Sequence, residues 1–543
     1  MSIKREASVW FALVWPVLIT NLAQMLMGMT DLIFLGHYDK VTDTGGPMGS
    51  NSTLGGGKIS TLYLGAASLG NVWDSLMNVV IVKGINNAEI VLVSSALGAR
   101  NFRLAKSWFY VCLFLITIFG VPIACSYLYA GSILAFVTKS GKDLEHYTTL
   151  YIKILGIGFV PSLWYQTFNG FLVAQNVTKP QMYLSLFALV LNAALNYTLL
   201  YGFQSANTTG ARNFGGIGFV GSPASTVISR TFLAIGAAWV ARQYWDEDTI
   251  MRTCDEKNRE TLLNSNQDTE ELQLESERSA LGDELLVNHA TDAFPSTNVQ
   301  DPEYLKAAEA RITWNRCKRM LLLALPLSLS MLLEDGQLQF VAVLAARIGK
   351  VALATHNSML NFFLALTSMM WAITGATEVR ISFHLGAGNK QGAYDVIRIA
   401  SYVAGGIGLI ITAFFWASKN VIGHLLSNDP HVWALTTEIS TLCGICYLAL
   451  CVFYISMATL TAQSRPMAIA GSFVVGAWIV CTPLCFFFAF HYKPTEGLFG
   501  LWLALAIGYA VTTLLSFISV CRSDWDEIVR NVKKGAEAPV EDG

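Results

Sequence analysis

Residues 96–101 read Ala-Leu-Gly-Ala-Arg-Asn and residues 384–389 read His-Leu-Gly-Ala-Gly-Asn, one phrase written twice at an offset of 288 positions. The same offset separates Ala174-Gln175 from Ala462-Gln463, and a proline follows each pair within five residues, Pro180 and Pro466. Gly-Ile-Gly-Phe at 216–219 has a positional counterpart in Gly-Leu-Phe-Gly at 497–500. Pro16 and Pro326 each stand early in the apolar stretch that opens a half. Repetition over the length of the chain means two similar halves, each built to the same plan.

Outward from these phrases the sequence is apolar. Hydrophobic residues make up 53% of the 543 and charged residues 14%, against roughly 25% charged in an ordinary soluble domain. A soluble protein of this composition has too little polar surface to cover itself. The apolar residues fall in twelve blocks, near 8–36, 61–92, 108–137, 148–173, 181–203, 216–241, 320–346, 351–377, 399–418, 433–461, 467–490 and 498–520. A membrane helix needs about 20 residues, whereas a barrel strand shows about ten residues of alternating polarity, a pattern absent here. The chain therefore reads as an all-α polytopic membrane protein, with twelve transmembrane helices in two six-helix bundles and internal pseudo-twofold symmetry. Six is even, so equivalent helices run the same way and the symmetry axis lies along the membrane normal; in such carriers the site falls between the halves.

The expected division is 1–245 for the first bundle, 246–310 for a linker, 311–521 for the second bundle and 522–543 for a cytoplasmic tail. Residues 246–310 hold 17 acidic and 5 basic residues, few aromatics and no span, which reads as a solvated acidic tether. Basic residues flanking the spans favour a cytoplasmic N-terminus, 19 inside against 9 outside with the linker omitted. Both termini are then cytoplasmic. The sequons at Asn51 and Asn207 fall outside, suiting a glycoprotein, and the one at Asn176 falls inside. Cys443 and Cys446 form a CxxC pair inside an apolar block and read as packing thiols.

A carboxyl inside the bilayer costs several kcal/mol unless it is paired, protonated or wet, so each one is a site candidate. Glu334 and Asp335 fall within the seventh span, and as neighbours they point about 100° apart. Glu334 lies eight residues beyond Pro326, deep in the hydrocarbon, and its helix offers no Lys or Arg three or four residues away. In the first span Asn21, Gln24 and Asp31 share a face, although the closeness of Asp31 to Gly36 and His37 also suits an interfacial cap. The second span carries Asp74, Asn78, Lys83 and Glu89, and Lys83 needs a partner from another helix. Asn192 and Asn196, stacked four apart in the fifth span, can present amides to a cavity or bond between helices. His356 in the eighth span is either a packing histidine or a proton carrier.

Several of these phrases carry a family likeness. Glu-Val-Arg-Ile-Ser-Phe-His-Leu-Gly-Ala-Gly-Asn at 378–389 resembles the signature that follows the eighth helix of the multidrug and toxic compound extrusion (MATE) family. Leu-Gly-Ala-Arg-Asn at 97–101 is similar to its second-helix counterpart, with Ser95 where the family has Gln. Pro16, Asp31 and Gly36, the run Asn-Tyr-Thr-Leu-Leu-Tyr-Gly at 196–202, and Leu-Phe-Gly-Leu-Trp at 498–502 resemble further family patterns in the right order. The likeness covers residues 8–521 apart from the linker and the first loop. It implies a non-enzymatic exporter of small organic, often cationic compounds, driven by inward H⁺ or Na⁺, without a cofactor; no GxxxxGK[ST] nucleotide loop is present. It puts Glu334 where eukaryotic relatives carry a seventh-helix acid essential for transport, and Asp31 where bacterial relatives carry a first-helix coupling acid. The tenth-helix glutamate of some relatives is missing around Leu450, which leaves the coupling ion open. The expected partners are a small organic substrate and the lipid bilayer, of plasma or vacuolar-type membrane, with no nucleic acid, and the chain is expected to act as a monomer. The alternative is a flippase for lipids or lipid-linked oligosaccharides, which would favour a basic central cavity.

Overall fold

The computed structural model describes residues 3–38, 56–78, 82–138, 141–202, 215–245, 312–426, 429–492 and 497–537. The acidic linker and the sequons at Asn51 and Asn207 lie outside the described residues. Within them the chain is helical. Ten helices are long and apolar enough to cross a membrane: Ile3–Gly36, Phe102–Ser126, Lys179–Tyr201, Gly218–Gln243, Trp314–Ile348, Val351–Gly386, Lys390–Ala417, Pro430–Ala462, Pro466–His491 and Gly497–Cys521. The second and fourth spans complete the twelve. The second comprises Gly56–Met77 and Lys83–Gly98, with residues 79–81 outside the described ones, and the fourth runs Lys142–Ile157 and Phe159–Ala174 on either side of Gly158. Composition showed the fourth as a continuous block, because a local break in backbone hydrogen bonding leaves hydropathy unchanged.

The repeat is visible in the backbone. Arg100 and Gly388 both take positive φ, 56° and 73°, and so do Asn176 and Ser464, 62° and 58°; each pair is 288 apart. Asn101 accepts a hydrogen bond from the Leu104 amide at 3.1 Å, and Asn389 accepts one from the Gly392 amide at 2.9 Å, so each copy of the phrase ends one helix and caps the next. Asn176 of the third sequon is buried in its turn. All the described cysteines are free, and Cys443 and Cys446 are buried in the tenth span.

The two halves meet through a seam on the face that carries the N-terminus. The lower half of the second span, Lys83–Gly98, packs on the seventh and eighth spans, and the first span packs on the eighth. A Cβ placed on Gly98 would overlap the Phe383 carbonyl, and one placed on Gly386 would overlap the Ser95 carbonyl. These are the same contact made twice, since Ser95 and Phe383 are also 288 apart. Small residues let membrane helices approach this closely. Around the crossing, the Trp10 indole donates to Thr377 Oγ1 at 3.1 Å. Glu6 accepts from Arg380 Nε and Nη2 at 2.7 and 2.8 Å and stands 3.1 Å from His384 Nε2. Above the seam the outer half of the second span, Gly56–Met77, packs on the first and fourth spans of its own half.

The stretch read as a tail contains a helix, Trp525–Glu537. It lies beneath the seam and touches both halves: Asn101 Nδ2 donates to the Ala536 carbonyl at 3.0 Å, and Arg319 Nη1 donates to the Gly535 carbonyl at 3.3 Å. Lys390 pairs with Asp526 at 2.8 Å, and Trp525 stacks on Tyr394 with centroids 4.7 Å apart. Hydropathy does not mark this helix, which is polar on one side and short.

Candidate functional site

Each half holds a carboxyl of the sequence-derived set in a polar or aromatic pocket. In the first half, Asp31 is 2% exposed near the end of the first span. It accepts from Asn196 Nδ2 at 2.7 Å and, through its other oxygen, from Thr226 Oγ1. The Asn196 amide also reaches the Asn192 carbonyl at 3.1 Å and its side-chain oxygen at 3.3 Å. The fifth-span asparagines thus serve Asp31, which is buried within its own half. Thr226 was not singled out from sequence, because nothing local marks a threonine in an apolar sixth span. Asn192 Nδ2 and Asn196 Oδ1 have no partner among the described residues, so the pocket keeps one donor and one acceptor in reserve.

Asp74 stands beside this pocket as a charge pair. Arg230 grips both its oxygens, at 3.2 and 2.8 Å, and the Tyr127 hydroxyl donates to Oδ1 at 2.8 Å. The partner comes from the sixth span. Removing one member of such a pair leaves the other buried without compensation, which costs about 3–5 kcal/mol. Asp74→Asn is therefore expected to lower thermal stability in detergent markedly. The double variant Asp74→Leu/Arg230→Met should recover much of the loss, and a scan of unfolding against temperature checks both. The polar chain continues down the second span: Gln166 Nε2 donates to Asn78 Oδ1, and Asn86 Nδ2 to Gln166 Oε1, both at 3.2 Å. Glu89 is fully buried, with Cys112 Sγ at 3.3 Å from one oxygen and no partner for the other among the described residues.

In the second half, Glu334 lines a narrow cavity with Leu360, Phe363, Thr367, Tyr454, Trp502 and Tyr509. The Tyr454 hydroxyl is held by the Trp371 indole at 3.0 Å. Glu334 makes no ion pair within 4 Å among the described residues, and neither does Asp335. The repeat explains the placement. Gln24 lies eight residues past Pro16, as Glu334 lies eight past Pro326, and Gln24 Nε2 donates to the Tyr165 hydroxyl at 2.7 Å. One fold position thus carries an amide against a tyrosine in the first half and an acid against tyrosines in the second. Tyr454 and Tyr509 escaped the sequence reading because aromatics in membrane helices are more often packing residues. His356 lies behind the cavity wall, fully buried against Trp502 at 5.7 Å between centroids, with neither ring nitrogen partnered among the described residues. Asp31, Asn192 and Asn196 therefore converge; Glu334 and Asp335 share the other half; Asp74 belongs to an ion pair, and His356 stands apart from both carboxyl pockets. Glu378, 4% exposed with one oxygen unpartnered among the described residues, was quoted only as part of a motif.

Two six-helix bundles joined at one face, each with a carboxyl facing a pocket of its own, define a membrane transporter of two similar halves. The chain belongs to the MatE family, whose profile matches residues 48–198 and 326–487. It is 24% identical over 513 residues to a probable multidrug resistance protein NorM of Photorhabdus laumondii, covering 93% of both chains. It is 22% identical over 524 residues to the multidrug resistance protein MdtK of Edwardsiella ictaluri, covering 95% of both. Among solved structures, the eukaryotic MATE transporter AtDTX14 superposes with a TM-score of 0.73 at 16% identity, covering 98% of this chain and 99% of that one. The Vibrio cholerae MATE transporter VcmN in its bent form gives 0.70 at 15%, covering 98% and 99%. The relatives are transporters rather than enzymes, and the twelve-span fold is theirs.

Proposed function

We propose that this chain exports small organic cations by exchange with inward H⁺ or Na⁺, with Glu334 as the carboxyl that holds the substrate. The observation that carries the reading is the placement of Glu334 among Tyr454, Tyr509, Trp502 and Phe363 with no ion-paired cation of its own among the described residues. Aromatic faces attract organic cations, and an unpaired acid in a low-dielectric cavity supplies the charge to match. Asp31, with the free amide oxygen of Asn196 and the hydroxyl of Thr226, offers the oxygen set that a proton or Na⁺ would use in the first half. Rocking the halves about the glycine seam exposes the site to each side in turn.

Purified protein in proteoliposomes tests this directly. A fluorescent organic cation should accumulate under an imposed pH or Na⁺ gradient, and the gradient that drives it identifies the coupling ion. Asp31→Asn should retain equilibrium binding of the cation but lose its dependence on the gradient; unchanged driven uptake would remove Asp31 from coupling. For orientation, the N-terminal face is read as cytoplasmic. Cysteines placed at Asn51 and Asn207 should then label from the outside of intact cells, and protection of either one reverses the topology. A lipid flippase would hold a phosphate on basic groups; of the candidates Arg230 and Lys83, the first is bound to Asp74 and the second lies over the Trp371 ring.

A further inference from the structure

Lys83 is a basic residue of the second span that enters no ion pair among the described residues. It opens the lower half of the second span, and its side chain is exposed. Its neighbour Gly84 lies flat against the seventh span: a Cβ there would overlap the Ala324 carbonyl and Ser328, six residues before Glu334. The backbone of the first half is thereby fixed close beneath the acid of the second. From that anchor the ammonium lies over the Trp371 ring, 6.0 Å from its centroid. Trp371 is itself 47% exposed, and its indole holds the Tyr454 hydroxyl that lines the Glu334 cavity. The ammonium forms no ion pair within 4 Å among the described residues, so its contact is with the ring.

A tethered alkylammonium set on the face of Trp371, whose indole holds a tyrosine of the Glu334 cavity, has the chemistry of the expected cargo. We propose that Lys83 is a built-in competitor, a cation supplied by the first half that occupies the acidic and aromatic site of the second half when substrate is absent and gives way when an organic cation arrives. The inference rests on the reading of Glu334 as the substrate carboxyl and adds a positioning and specificity role to a residue of the opposite bundle. Its physical content is a trade. Without Lys83 the carboxyls present more unmatched charge and hold monovalent cations more tightly; with it, a cation must exceed the attraction of the tethered ammonium. Small, strongly hydrated cations fail that contest, and large aromatic ones gain from the rings that the ammonium covers.

Equilibrium binding of tetraphenylphosphonium, a permanent organic cation, to the purified full chain tests the proposal. Lys83→Gln should tighten binding about three- to tenfold at low salt, and the gain should shrink as ionic strength rises. Lys83→Met should behave alike, and Lys83→Arg should stay close to the parent. In the Glu334→Gln/Asp335→Asn background, Lys83→Gln should change nothing, since no acid remains to be contested. Unchanged or weaker binding in both Lys83→Gln and Lys83→Met, beside a parent whose binding depends on the acids, overturns the proposal. So does an equal gain in the background without the acids. Parent-like affinity in Glu334→Gln/Asp335→Asn itself is a different failure, which removes the carboxyl reading on which the proposal stands.

Discussion

Replacing Glu334 with Gln should reduce gradient-driven exchange to the background of empty liposomes, with expression and helicity unchanged. The amide keeps the size of the side chain and can hydrogen-bond to Tyr454 or Tyr509, so the cavity has no reason to collapse. What it loses is the ability to carry one ligand as an anion and another as an acid. A fixed neutral group cannot alternate between a cation and a proton, so the loss falls on turnover as well as on affinity. Losing a single charge contact at a buried site costs about 2–5 kcal/mol, or a factor of about thirty to several thousand in binding. Uptake by the Gln variant, measured beside binding of the same cation, separates the outcomes. Near-normal uptake would move the central role to Asp31. Failure to express would mark Glu334 as a structural acid.

Gly386→Val should cost transport nearly as much without touching either pocket. The new Cβ would fall within the volume of the Ser95 carbonyl, which is backbone and has no rotamer to yield. The seam then opens by about the width of a methyl group. Overpacking of this kind costs about 1–3 kcal/mol, which shifts the balance between the seam-closed and seam-open forms by about fivefold to 150-fold. The population moves toward the form open at the N-terminal face. Ser328→Cys, 3% exposed in the parent at the contact with Gly84, reads this out by labelling from that face. It should be protected in the parent and reactive in Gly386→Val, and Gly98→Val should give the same result because the contact is duplicated. Continued protection together with full transport would show that the seam is not what closes that side.

Much of this was legible before any coordinates. The offset of 288 between Leu-Gly-Ala phrases required two like halves, and the structure shows it in positive-φ positions, in asparagine caps and in the paired glycine contacts. Such features are local: each copy of the phrase turns the chain and caps the next helix with the asparagine that follows, so the letters carry it. Glu334 and Asp31 could be singled out one at a time because hydrocarbon penalises any carboxyl, whatever surrounds it. Their surroundings were another matter. Thr226 against Asp31, Arg230 on Asp74, and Tyr454 and Tyr509 around Glu334 join spans far apart in sequence, and a hydroxyl or a tyrosine in an apolar helix looks the same whether it packs or binds.

The membrane spans, their number, the twofold plan and the acids that needed explaining all follow from hydropathy, periodicity and repetition along the chain. Which acid is neutralised by a guanidinium and which faces a cavity came from the packing of the helices. So did the place of Lys83 of one half over Trp371 of the other, and the helix of the C-terminal stretch that touches both halves. The physical reason is that a charge has its meaning in its partners, and in a bundle of twelve helices the partners come from neighbours in space that the linear order does not name.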